Sequence, residues 1–132
     1  MSDMAEKEEG ERIKFIERFF AESKEYVNKG DPVQASEKLY KVVEECIKLL
    51  AGRQKLPEFE EARREGRWMS RLLVRAARRL AQDTGRKEIE DAWARAFNLH
   101  AWGFHENALD IEDVKRSVSY IERLLNYTKD SL

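Results

Sequence analysis

The chain has 132 residues and a mass of 15.6 kDa, the size of one domain. A lone cysteine excludes an intrachain disulfide framework and a cysteine-based zinc site, and no apolar run approaches the roughly 20 residues that a bilayer span needs. Charged residues make up 39% of the chain, far above the usual share, yet they cancel to a net charge of −1.

Met1 to Glu11 is polar and acidic, unlike a secretory signal or an Arg-rich transit peptide, so a cytoplasmic protein without membrane attachment is expected. Residues 1–132 read as a single helical domain in which 1–10 form a polar, poorly ordered N-terminus. Proline occurs only at Pro32 and Pro57, and between the sparse glycines apolar residues recur at helical spacing. The first helix is predicted from Glu11 to Lys29, with Ile13, Ile16, Phe20 and Val27 on its core face. Gly30 then supplies a left-handed C-cap, Asp31 an N-cap and Pro32 the first position of the next helix, a tight link between antiparallel neighbours. The second helix runs to Ala51 along a stripe of Ala35, Leu39, Val42, Cys46, Leu49 and Leu50, and Cys46 reads as an inert core residue. Residues 53–66, with Pro57 and Gly66, read as an interruption holding at most a short helical turn.

The third helix is predicted from Arg67 to Asp83, burying Trp68, Met69, Leu72, Leu73, Ala76 and Leu80. The fourth starts near Lys87 and reaches Trp102, with Gly103 ending or bending it. Asp110 caps the fifth, with Asp113 as the acidic partner of a capping box and a stripe of Ile111, Val114, Val118, Ile121 and Leu125. The pattern predicts an all-α, five-helix up-and-down bundle.

The near-zero net charge hides a basic segment. Residues 63–87 carry nine basic against two acidic groups, a net +7, while the stretches on either side are each at −4. At about 100° per residue, Arg67, Arg71, Arg75 and Arg78 share one stripe. Such a stripe suits phosphate contacts with RNA or DNA. It equally suits ion pairing with acidic neighbours, which the acidic excess elsewhere and the lack of interleaved aromatics favour.

Both histidines and two of the three tryptophans fall between Trp93 and Glu106. On a helical wheel Ile89, Trp93, Ala96, Phe97, His100 and Phe104 share one face, so His100 reads either as a core histidine or as a general acid/base. Arg95, Leu99 and Trp102 occupy another side, and Trp102, His105 and Glu106 are candidate binding residues. Phe15, Phe19 and Tyr26 on the first helix, with Leu99 and Trp102 on the fourth, are candidate oligomer contacts, a two-fold dimer being the first expectation. Arg95 and His100 lie about 140° apart on a straight helix, so they meet only through a bend or across a symmetric interface. His100 and His105 miss the i, i+4 spacing of a helical metal pair, and HExxH, Walker, GxGxxG and GxSxG motifs are absent; no metal or cofactor is expected.

Leu99-His100, then Gly103-Phe104-His105-Glu106 and a final amphipathic helix, resembles the archaeal PaREP family, which groups with the HEPN superfamily of small helical bundles. The resemblance covers most of the chain. Gly30-Asp31-Pro32 followed by Ala35, Tyr40, Glu44 and Ile47-Lys48 is similar to the second helix of HEPN domains, and Arg95 to His100 is similar to their arginine–histidine signature. In ribonuclease members that pair converges from two subunits and cleaves RNA without metal. Carried over, Arg95 would stabilise the phosphorane charge and His100 would move the proton. Ala96 stands where those members often have a polar residue. Other HEPN members bind nucleotides or accompany a nucleotidyltransferase. The resemblance therefore implies a non-enzymatic oligomeric module that binds a nucleotide, RNA or a protein, or alternatively a metal-independent ribonuclease paired with an antitoxin.

Overall fold

The structure, a computed structural model, describes residues 3–132. It contains six α-helices: α1 (Asp3–Asn28), α2 (Pro32–Arg53), α3 (Pro57–Glu65), α4 (Ser70–Thr84), α5 (Lys87–Asn98) and α6 (Ile111–Asp130). A π-helical segment, Leu99–His105, continues α5. There is no strand among the described residues. None of these helices is long and apolar enough to cross a membrane.

The count of five helices needs correction to six. Pro57 and Gly66, read from sequence as loop punctuation, bracket α3 as its first residue and its left-handed cap at φ 74°. Both residue types suit those positions, because proline lacks only an N–H that no helix uses there and glycine carries no Cβ to clash at positive φ. Buried Glu58 ties α3 to α4 by accepting two bonds from Arg79, at 2.9 Å to Nε and 3.0 Å to Nη2.

α1 also begins at Asp3 rather than Glu11. Its extra turns lie along the far end of α2, where Arg53 binds Glu9 at 2.9 Å. Met1 and Ser2, part of the stretch expected to be poorly ordered, lie outside the described residues. The α1–α2 link follows the cap chemistry. Gly30 takes φ 72°, and Asp31 accepts from the Gln34 backbone N–H at 3.1 Å. Ion pairs Glu22–Lys38, Arg12–Glu45 and Glu9–Arg53 then climb the two helices in opposite order, which makes them antiparallel.

α2 is the hub, packed against every other helix and the π segment. Leu39, Val42, Val43, Cys46, Ile47 and Leu50 lie fully inside. Burial pushes the Cys46 thiol pKa up to about 12. α4 starts three residues later than the spacing predicted, leaving Trp68 half-buried ahead of it and Met69 at its cap. α6 opens with the full capping box: Asp113 N–H donates to Asp110 at 2.9 Å and Asp110 N–H to Asp113 at 3.0 Å.

At Gly103 the π segment lies directly against Ser36 of α2. A Cβ there would fall 2.8 Å from the Ser36 Cβ, with the Ser36 Oγ nearer still. Ser36 is 0% exposed and its hydroxyl has no hydrogen-bond partner.

Three outcomes follow from this packing. Asp31→Ala should cost about 1 kcal/mol in chemical denaturation through the lost cap. Gly103→Ala should cost about 1–3 kcal/mol by overpacking, and adding Ser36→Gly should restore part of it, whereas Ser36→Ala alone should keep or raise the Tm. Hydrogen bonding by Arg79 holds the Glu58 carboxyl below the usual range. The stability this contributes is complete above the unfolded carboxyl pKa of about 4.3 and lost as pH falls through the lower folded value. Arg79→Ala should therefore lower the Tm near neutrality, a difference that shrinks in acid.

Candidate functional site

The π segment changes which residues meet. Within the π segment the backbone bonds reach five residues back, as in Glu106 N–H to Ala101 O at 3.1 Å. Residues five apart, which diverge on an α-helix, are thereby stacked. His100 and His105 consequently approach to 3.1 Å between their Nε2 atoms, with the rings nearly perpendicular at 84°.

His100 is held on three sides. Its ring stacks on Tyr40 of α2, with centroids 4.2 Å apart and planes at 20°. Phe104 lies parallel at 6.1 Å. Its Nδ1 meets a Glu37 carboxylate oxygen at 3.4 Å. A carboxylate accepts only, so the ring donates from Nδ1 to Glu37; in the neutral ring the lone pair then lies on Nε2, which faces His105. The Tyr40 hydroxyl is pushed up to about 12 by burial and by the nearby Glu44 and Glu37 charges, so it stays protonated under this ring.

Arg95 goes elsewhere. Its guanidinium lies 4.0 Å from the centroid of the Tyr120 ring on α6, a cation–π contact. It lines an open cavity of about 590 Å³ with Asp91, Ala94, Asn98 and Tyr120. His100 is not among those residues. The two members of the arginine–histidine signature are thus engaged with different helices of the same chain.

The binding candidates Trp102, His105 and Glu106 are brought together. With Ala101 they line a shallow surface cavity of about 390 Å³. Trp102 is 53% exposed. Leu99, expected as an oligomer contact beside it, is instead a core residue at 1% exposure. The reverse holds for Phe97, expected on the core face but 46% exposed. The two corrections have different causes. For Leu99, the wheel assumed α-helical angles through Trp102, whereas the π segment begins at Leu99 and buries Leu99 and Gly103. Phe97 precedes it, within α5.

Phe15, Phe19 and Tyr26 divide. Phe15 is 57% exposed, while Phe19 and Tyr26 are half-buried against the core cluster. Phe15 and Phe19 line a groove of about 580 Å³ with Ile16, rimmed by Glu8, Glu11, Arg12, Lys41 and Glu45.

The arginine stripe is partly paired. Arg71 reaches Glu61 at 3.0 Å. Arg67, Arg75 and Arg78 are exposed and make no ion pair among the described residues, and Arg67 contacts only the Met69 sulfur at 3.8 Å. Elsewhere in the basic segment Arg63, Arg79 and Arg86 each meet a glutamate.

The sequence reading missed Glu37 and Tyr40 as partners of His100. Glu37 sits among the polar positions of α2 with no motif to mark it, and only the fold brings α2 beneath the π segment.

No curated protein matches the chain. Among solved structures, a crystal structure of a protein from Sulfolobus solfataricus is 36% identical and superposes with a TM-score of 0.80, covering 88% of this chain and 94% of its own. A solution structure of the Orf c02003 protein, also 36% identical, gives a TM-score of 0.76 over 88% of this chain and 89% of its own. The sequence model of the archaeal PaREP1/PaREP8 family matches residues 11–125, nearly the whole bundle including the histidine pair, and the chain belongs to that family.

Proposed function

We propose that this chain is a non-enzymatic, HEPN-like helical module of the cytoplasm that works as a homodimer and binds a partner. One observation carries the non-enzymatic part: Arg95 is engaged with Tyr120 and His100 with Tyr40 and Glu37, so within one chain the two do not share a cleft for a single phosphate. Phosphoryl-transfer chemistry needs the charge-stabilising donor and the proton acceptor at one reacting centre.

Self-association is supported by the α1 groove. Phe15 and Phe19 give it an apolar lining, and three glutamates, one arginine and one lysine add both charge signs. A two-fold contact pairs a patch with itself, so a rim carrying both charge signs suits it. The unpaired guanidinium groups of Arg67, Arg75 and Arg78 offer the surface on which a nucleic-acid partner would contact phosphates.

The ribonuclease reading keeps one observation in its favour. Glu37 at Nδ1 leaves His100 Nε2 as a proton acceptor, the arrangement a general base needs. Arg95 would then have to come from a second subunit.

Light scattering on the purified chain should give twice the 15.6 kDa chain mass, falling to the monomer in Phe15→Glu; a monomer at high micromolar concentration would refute the dimer. Incubation with structured and single-stranded RNA in chelator should leave both intact. Metal-independent cleavage lost in both Arg95→Ala and His100→Ala, at unchanged Tm, would establish the ribonuclease instead.

A further inference from the structure

The π-helix is a rare backbone state, often found as a local insertion at functional sites. Here its visible product is the juxtaposition of two imidazole nitrogens that the sequence holds five residues apart. Three features of that juxtaposition point the same way.

The first is protonation. Glu37 accepts from His100 Nδ1, so in the neutral ring the lone pair lies on Nε2, the nitrogen that faces His105. A ligating histidine characteristically carries such a carboxylate on its other nitrogen, fixing tautomer and ring orientation. The second is distance. Two nitrogens bound to one tetrahedral zinc at about 2.0–2.1 Å lie about 3.3–3.4 Å apart, and the Nε2 atoms of His100 and His105 are 3.1 Å apart. The ring centroids are only 4.4 Å apart, so the imidazoles meet at an angle, unlike an end-to-end hydrogen bond, which would add both ring radii to the nitrogen separation. The third is access. His105 is exposed and opens onto the cavity lined by Trp102 and Glu106, where water has room to complete a coordination shell.

From this geometry we infer that His100 and His105 chelate one divalent transition-metal ion through their Nε2 atoms, with Glu37 as the carboxylate that holds His100 in its ligating tautomer. No group of three or more His, Cys, Asp or Glu side chains converges on a common point among the described residues. The protein therefore supplies two ligands and solvent supplies the rest. Two imidazoles select copper, nickel and zinc over magnesium and calcium, which take oxygen ligands. The Tyr40 ring beneath His100 and the Gly103–Ser36 contact hold the first ligand rigidly, and His105 closes on it from the solvent side.

The test is calorimetric titration of the metal-free full chain with cupric, nickel, zinc and magnesium chlorides. One saturable site per chain is expected for the first three, tightest for copper, and none for magnesium. His105→Ala, at an exposed position, should weaken binding at least tenfold. Glu37→Gln should weaken it about 10- to 100-fold. Nickel should raise the Tm of the parent chain and not that of His105→Ala, whose helical circular dichroism should match the parent. Binding in His105→Ala at the parent affinity, or no saturable site for any of the three ions at millimolar concentration, would overturn the inference.

Discussion

The close approach of the π segment to α2 is the contact on which the rest of the histidine face depends. Gly103 carries no side chain and Ser36 a small one, so the two backbones approach within a distance that any larger pair would forbid. That approach sets His100 on the Tyr40 ring and within reach of Glu37. The buried, unpartnered Ser36 hydroxyl is a cost of this packing, since an unsatisfied polar group inside a protein forfeits its bonds to water. A π turn also breaks the usual hydrogen-bond register. Stacking among Tyr40, His100 and Phe104 and the burial of Leu99 are the compensations visible here. Aromatic pairs of this kind contribute about 0.5–1.5 kcal/mol each beyond the area they bury.

Much of the fold is legible in the chain because its signals are local. Gly30-Asp31-Pro32 and Asp110–Asp113 act through groups two or three residues apart, and both form the caps their chemistry implies. The stripe of α2 is buried throughout, and that of α6 is buried at Val114, Ile121 and Leu125 and half-buried at Ile111 and Val118. Less legible is α3, because nine residues give too few turns for a periodic stripe and its anchor is a charged residue, Glu58, bonded to an arginine on another helix. The π segment is illegible for a deeper reason. Nothing in Leu99-His100-Ala101-Trp102-Gly103 announces a change of helical period. The segment's partners, Ser36, Glu37 and Tyr40, lie far back in the chain on α2, Glu37 being 63 residues from His100. Every placement downstream of Asn98 inherits that shift, which is why Leu99 is buried and why two histidines at a non-ligating spacing meet.

The electrostatics follow the same division between local and tertiary. The basic segment loses four of its arginines to glutamates on α3 and α5 or within its own turn, and these pairs link neighbouring elements as well as neutralising them. Exposed pairs of this type are each worth little. The Arg79–Glu58 fork differs, because the carboxylate is 6% exposed and two parallel bonds fix its orientation. What remains on the surface of α4 is a short row of guanidinium groups rather than the broad basic face that the raw charge count implies.

The burial of Cys46 at the centre of α2 gives the molecule an internal clock. Only the thiolate reacts with alkylating reagents, and a thiol raised to about 12 and sealed from solvent supplies almost none. Modification must wait for α2 to part from its neighbours. Because α2 touches every other helix, that parting amounts to opening the whole bundle rather than one edge. The rate at which a thiol reagent consumes the native chain therefore reads how often the bundle comes apart, with a single intrinsic probe and no added label.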